Sequence, residues 1–159
     1  MSKKIDNEQA EALLKSLGHE EEAEGVEANK SKAYYRTSED EVLKVCLLSD
    51  SITLLKAGGD YVGGRVQDLV DIEGVEFAKE IAAIDRQFAW KASLAVLTHA
   101  YISWINGCLQ QAREEILLTI QVAGPAVEIA DLAEALAEET GNLDFEGFVI
   151  RNLTKAITG

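Results

Sequence analysis

The sequence predicts an all-α protein, a single domain of five or six helices packed around a long central helix at about residues 85–122. The 21 residues from Ala92 to Ala112 carry no formal charge, although the chain has 28 acidic and 15 basic residues and a net charge of −13. A run this poor in charge belongs in the interior of a folded protein. The chain also has one proline and 47% hydrophobic residues, and we find no segment with the alternation of a half-buried strand.

The first 36 residues are expected to form an N-terminal arm, and residues 37–159 the helical core domain. The arm should begin with a short helix at residues 7–17. Asp6 or Asn7 can accept a hydrogen bond at the N-terminus of this helix, and its leucines fall on one face.

The segment after this first helix is expected to be a solvated tether. Gly18 is a residue at which a helix commonly ends. Residues 19–25 then include four glutamates and almost nothing to bury, which is typical of a mobile linker. His19 is therefore predicted to be exposed to solvent.

A second helix is predicted at about residues 37–57. Thr37 or Ser38 would cap it, and the acidic side chains that follow favour the N-terminal end of the helix dipole. Gly58 and Gly59 would end it. Its inward-facing residues would be Val42, Val45, Cys46, Leu48, Ile52 and Leu55.

A third helix is predicted at about residues 65–83, with an interruption near Gly74. The long central helix follows and should bend near Gly107, because glycine weakens a helix interior. Gly124 and Pro125 should end it, since glycine suits a helix C-terminus and proline suits the first turn of the next helix.

A fifth helix at residues 126–139 and a last helix near 144–157 complete the predicted domain. The fifth helix has apolar residues on one side and acidic residues on the other, which is the pattern of an amphipathic helix with a charged outer face. Residues 124–159 include seven acidic and two basic residues, a net charge of −5. The predicted partner-binding residues are Glu128, Asp131, Glu134, Glu138 and Glu139, together with Glu39, Asp40 and Glu41.

This acidic surface predicts a non-enzymatic protein-binding module, of the inhibitor, immunity, chaperone or adaptor type, that engages a basic surface of a partner protein. A negative surface attracts basic partners and repels nucleic acid and anionic membranes, so direct binding to either is not expected. The N-terminus lacks the apolar segment of a secretory signal, and the uncharged run contains several polar side chains. A cytoplasmic protein without a membrane span is therefore predicted.

A stripe of polar side chains on the central helix suggests an alternative function. The stripe falls on one line of a continuous helix because its members are three or four positions apart. It could form a structural hydrogen-bond ladder, or it could bind a small polar or anionic ligand in a helical oligomeric sensor. A purely structural helical subunit, shared between copies, is a further alternative. The candidate ligand-binding residues are His99, Ser103, Asn106, Gln110 and Arg113.

Catalytic residues, cofactors and metal ions are not expected. His19 and His99 are the two histidines, and the two cysteines, Cys46 and Cys108, are too few for a structural zinc site. The glycine-rich segment 58–64 lacks the Lys-Ser/Thr pair that a phosphate-binding loop requires. The chain also lacks the HExxH and GxSxG motifs of common hydrolases.

Overall fold

The protein has a mixed α/β fold, so the predicted all-α class and helical-bundle architecture are wrong. In the computed structural model, the described residues form five β-strands and eight α-helices. The described ranges are 3–27, 31–46, 51–84 and 86–158.

The chain divides into two compact units, Met1–Leu69 and Val70–Gly159. The predicted division between residues 36 and 37 falls within a strand of the first unit. Among the described residues, no helix combines the length and the apolar character needed to cross a membrane.

The first unit contains a five-stranded antiparallel sheet. Its strands are β1 (Lys3–Ile5), β2 (Lys32–Ser38), β3 (Glu41–Cys46), β4 (Ser51–Lys56) and β5 (Tyr61–Arg65). They are adjacent in chain order, and each neighbouring pair runs antiparallel. Two helices, α1 (Asn7–Ser16) and α2 (Glu20–Gly25), connect β1 to β2. Buried residues of both helices pack with Tyr34, Val42 and Leu55 of the sheet in one hydrophobic cluster.

The predicted helix at residues 37–57 is therefore wrong, because β3 and β4 occupy most of it. Consecutive residues are buried in both strands, at Val42 and Leu43 and again at Leu54 and Leu55. A strand buried on both faces forms a continuous apolar run, which periodicity alone does not distinguish from a buried helix. Leu48, predicted to face inward, lies outside the described residues.

The predicted tether at residues 19–25 is also wrong, since α2 occupies most of it. Ala23 is 1% exposed and Val26, next to the helix end, is fully buried. These two small apolar side chains pack in the core of the first unit. A segment with four glutamates is thus held in place by very few buried atoms, which composition alone does not reveal.

The predicted first helix is confirmed, and Asp6 is its N-terminal cap. The Asp6 carboxylate accepts a hydrogen bond from the Gln9 N–H at 2.7 Å, and the Gln9 side chain accepts one from the Asp6 N–H at 3.2 Å. We expect Asp6→Ala to lower the free energy of unfolding by about 1 kcal/mol, because the Gln9 N–H loses its side-chain acceptor. Urea denaturation followed by circular dichroism measures this change. Asp6→Asn retains the cap oxygen and should be nearly neutral, so an equal loss in both variants would contradict the capping role.

The second unit is helical, and α3 (Val66–Glu73) lies across the boundary between the units. The remaining helices are α4 (Val75–Ala82), α5 (Arg86–Ile105), α6 (Leu109–Ala123), α7 (Ile129–Thr140) and α8 (Leu143–Thr158). The expected interruption at Gly74 separates α3 from α4, and the expected break at Gly124 and Pro125 follows α6.

The predicted long helix at residues 85–122 is two helices rather than one. Gly107 has a φ of 80°, in the left-handed region that glycine adopts at little cost. The Cys108 N–H then donates to the carbonyl oxygen of Ser103 at 2.9 Å, which satisfies the end of α5. The uncharged run is therefore folded back, so that α5 and α6 pack against each other.

An aromatic cluster joins α5 to α8 in the core of the second unit. Phe145 is fully buried, and its ring centroid lies 5.2 Å from that of Tyr101 and 5.5 Å from that of Trp104. Phe148 is stacked against Phe145 at 6.3 Å. Buried apolar residues of α6 and α7 complete this core.

Candidate functional site

The outer face of α7 is an acidic helical surface. The inner face of α7 is buried, with Leu132 and Ala133 fully buried and Leu136 3% exposed. This burial fixes which side of the helix meets solvent. The five acidic residues predicted for this segment are all exposed, and we call them the α7 acidic face: Glu128, Asp131, Glu134, Glu138 and Glu139.

The carboxylates of the α7 acidic face have no compensating cation among the side chains that the structure describes. Some acidic side chains elsewhere are paired: Glu22 lies 2.8 Å from the Lys44 ammonium, and Glu11 lies 3.2 Å from that of Lys15. The α7 helix itself contains no basic residue. Its outer side therefore presents uncompensated negative charge.

Two of these charges lie where they oppose helix formation. Glu138 and Glu139 are in the last turn of α7, next to the negative end of the helix dipole. Glu134 and Glu138 are four residues apart, so their like charges face each other on the helix surface. The helix is retained because its other side is buried. Local helix stability thus gives no reason for this arrangement of charge.

The second group of predicted partner-binding residues lies in the β2–β3 turn of the first unit. Glu39 and Asp40 are exposed, whereas the Glu41 carboxylate accepts hydrogen bonds from the hydroxyls of Thr37 and Ser38 at 3.4 and 3.2 Å. These residues form a turn and not the start of a helix, because serine, aspartate and their neighbours also stabilise tight turns. Their partner-binding role stays a prediction, separate from the α7 acidic face.

The predicted polar stripe on the central helix is divided by the break at Gly107. His99 and Ser103 lie on α5, Asn106 precedes the break, and Gln110 and Arg113 lie on α6. The prediction that the five side chains lie on one line is therefore wrong, because it required one continuous helix.

The individual members of the stripe have partners of different kinds. The His99 ring pairs with the Asp71 carboxylate, and the Ser103 hydroxyl donates to the Glu115 carboxylate. The Arg113 guanidinium lies 5.8 Å from the centroid of the Phe148 ring. The Gln110 amide is 3.5 Å from the Glu114 carboxylate, while Asn106 is exposed. Carboxylates beside three of the five residues do not favour an anion, and the ligand-binding role of the stripe stays a prediction.

An open cleft in the first unit contains functional-site features that the sequence did not reveal. Its volume is about 640 Å³, and it lies between the start of α2 and the face of β4 and β5. His19 lines it and is 8% exposed, so the prediction of a solvated histidine is wrong. The glycine-rich segment 58–64 was the available signal, but only tertiary contacts, such as the hydrogen bond from the Gly59 N–H to the Leu17 carbonyl oxygen, place it beside residues 18–22. The lining residues are Gly18, His19, Glu20, Glu21, Glu22, Thr53, Leu55, Gly59 and Tyr61.

Within the described parts of the chain, no three His, Cys, Asp or Glu side chains converge as metal ligands. Comparison of the chain with protein-family models, with curated proteins and with solved structures found no significant match. The functional proposals below therefore depend on the geometry and the charge of this chain alone.

Proposed function

We propose that this protein is a non-enzymatic binding module whose α7 acidic face engages a basic surface of a partner protein. The observation that carries the proposal is the set of five exposed carboxylates, none with an ion pair among the described side chains. They stand on a helix whose opposite side is buried, so their spacing is maintained without the partner.

The spacing of the carboxylates suits a row of lysine or arginine side chains. Asp131, Glu134 and Glu138 are three and four residues apart, which places them on one line along the helix. The face from Glu128 to Glu139 extends over about 16 Å, given a rise of about 1.5 Å per residue. Arginine binds carboxylates through two parallel hydrogen bonds, and lysine binds them as a point charge.

Long-range attraction should contribute more to this binding than apolar burial does. A negative surface speeds the encounter with a positive one, and dissolved salt screens that attraction. The screening length falls from about 10 Å at about 0.1 M salt to about 3 Å at about 1 M salt. A complex formed through the α7 acidic face should therefore be stable at the lower salt concentration and dissociate at the higher one.

The direct test is affinity capture with the tagged full-length protein from nuclease-treated native lysate, washed at about 0.1 M and then about 1 M salt. We expect one basic protein, in fixed ratio to the bait, that is released by the second wash. A partner that stays bound at high salt, an acidic partner, or recovery of the bait alone would contradict the proposal. Mass spectrometry identifies the released protein, and the charge-reversed variant described in the Discussion is the control for specificity.

A further inference from the structure

Glycine positions lie at close backbone and side-chain approaches around the cleft in the first unit. Thr53 of β4 pairs with Gly63 of β5, and the neighbouring pair on the same face is Leu55 with Tyr61. A methyl group at Gly63 would lie 3.4 Å from the Thr53 hydroxyl oxygen, so glycine leaves the Thr53 side chain uncrowded. At Gly18, a methyl group would come within 3.2 Å of the Gly59 nitrogen, so only glycine allows this close approach.

The His19 side chain lines the cleft, and one of its ring nitrogens is held by the backbone. Its Nε2 lies 2.7 Å from the Lys56 carbonyl oxygen. A carbonyl oxygen only accepts, so Nε2 carries the hydrogen, and in the neutral ring Nδ1 is then an acceptor. This Nδ1 has no hydrogen-bond partner among the described residues, although the side chain is more than nine-tenths buried. The cleft is therefore lined by a histidine whose ring is held in place and whose second nitrogen, in the neutral ring, can accept a hydrogen bond.

The rim of the cleft adds uncompensated negative charge. Glu20, Glu21 and Glu22 follow His19 along the chain and line the same cleft. Glu22 is paired with Lys44 at 2.8 Å, whereas Glu20 and Glu21 are exposed and form no ion pair with a described side chain. A bound anion would be repelled by these two carboxylates.

The remaining lining is an aromatic ring beside an apolar floor. Tyr61 is 65% exposed, and Leu55 is 2% exposed. An accessible aromatic face attracts a cation, and it stacks best with a planar one. Carboxylates, a ring nitrogen acceptor and an aromatic face together select a planar cation that has several N–H donors and no acceptor.

We propose that this cleft binds a guanidinium group, either of a small free molecule or of an arginine side chain in a peptide. Guanidinium has five N–H donors in a rigid plane and no acceptor, which matches the acceptors of His19, Glu20 and Glu21 and the ring of Tyr61. The site is in the first unit, so it is independent of the function proposed for α7.

The test is isothermal titration calorimetry of the full-length protein with three probes. Agmatine represents a free guanidinium compound, and N-acetyl-arginine amide represents a peptide side chain. N-acetyl-citrulline amide has nearly the same shape without the charge. We expect both guanidinium probes to bind in the millimolar range or tighter, and the citrulline probe to bind at least about tenfold more weakly. Tighter binding of agmatine assigns the site to a free molecule, and tighter binding of the arginine amide assigns it to a peptide.

Paired variants show whether the cleft is the place of binding. Glu20→Gln with Glu21→Gln should weaken both guanidinium probes by about tenfold or more, because the charge-assisted hydrogen bonds are lost. The matched control, Glu24→Gln with Glu27→Gln, removes the same charge next to the cleft but outside its lining and should leave binding unchanged. Absence of binding, equal binding of the citrulline probe, or equal loss in the control pair would overturn the proposal. Thermal melting of each variant verifies that it is folded.

Discussion

Replacing Phe145 by alanine should lower the free energy of unfolding of the second unit by about 3–5 kcal/mol, as expected for deletion of a fully buried aromatic side chain. Phe145 is 0% exposed, and its ring contacts those of Tyr101, Trp104 and Phe148. Its loss removes apolar burial and edge-to-face contacts, and it leaves a cavity between α5 and α8.

Urea denaturation followed by tryptophan fluorescence measures this loss. Both tryptophans, Trp90 and Trp104, belong to the second unit, so the signal reports on that unit directly. Leu143→Ala is the matched control, since Leu143 lies two residues away in the same helix but is 72% exposed. We expect a change within about 0.5 kcal/mol for the control. Similar losses in the two variants would show that Phe145 does not hold the core.

Reversing three charges of the α7 acidic face should have opposite effects on binding and on stability. In the variant Glu134→Lys, Glu138→Lys and Glu139→Lys, affinity for the captured basic partner should fall by about 100-fold or more, because like charges then meet across the interface. The melting temperature should rise by about 2–4 °C, because lysines near the C-terminus favour the helix dipole that the glutamates oppose.

The opposite signs distinguish a binding surface from a structural one. A variant that bound weakly because it was misfolded would also melt at a lower temperature. The control reverses three exposed carboxylates of the first unit, Glu8, Glu24 and Glu27, and so changes the net charge equally. At about 0.1 M salt, titration calorimetry gives the affinity for the partner and scanning calorimetry gives the melting temperature. If the control loses as much affinity, net charge alone governs binding, and if the α7 variant loses none, this face is not the interface.

Several local features of the fold were predictable because their signals lie within a few residues. The Asp6 cap, the interruption at Gly74 and the break at Gly124 and Pro125 occur where expected. The buried and exposed faces of α7 were predictable too, because its apolar and acidic residues fall on opposite sides of a helix.

The break at Gly107 was only partly predictable. Glycine in a helix interior indicates a weak point, and a bend was expected there. In a bent helix, α6 would continue away from α5. In a complete reversal, α6 packs against α5. The packing of α6 against α5 decides between them, because it buries Ala112 and Ile116, and a short window of sequence does not contain that contact.

The sheet and the cleft were not predictable from local patterns. Strands β3 and β4 are buried on both faces, so their apolar residues do not alternate. The approach of Gly18 to Gly59 and the hydrogen bond of His19 to Lys56 join positions far apart in the chain. Burial of His19 follows from these contacts and from nothing in its own neighbourhood.

The sequence by itself determined where most helices begin and end, which side of α7 is charged, and the strong negative charge of the chain. These properties depend on caps, glycine and proline positions, and side-chain spacing, all of which act over one or two turns of chain. The tertiary structure alone decided that β2 to β5 form a sheet, that the uncharged run folds back on itself, and that His19 lines a cleft. The physical reason is that burial of apolar surface is shared between distant segments, so the partner of each segment is settled only when the chain packs.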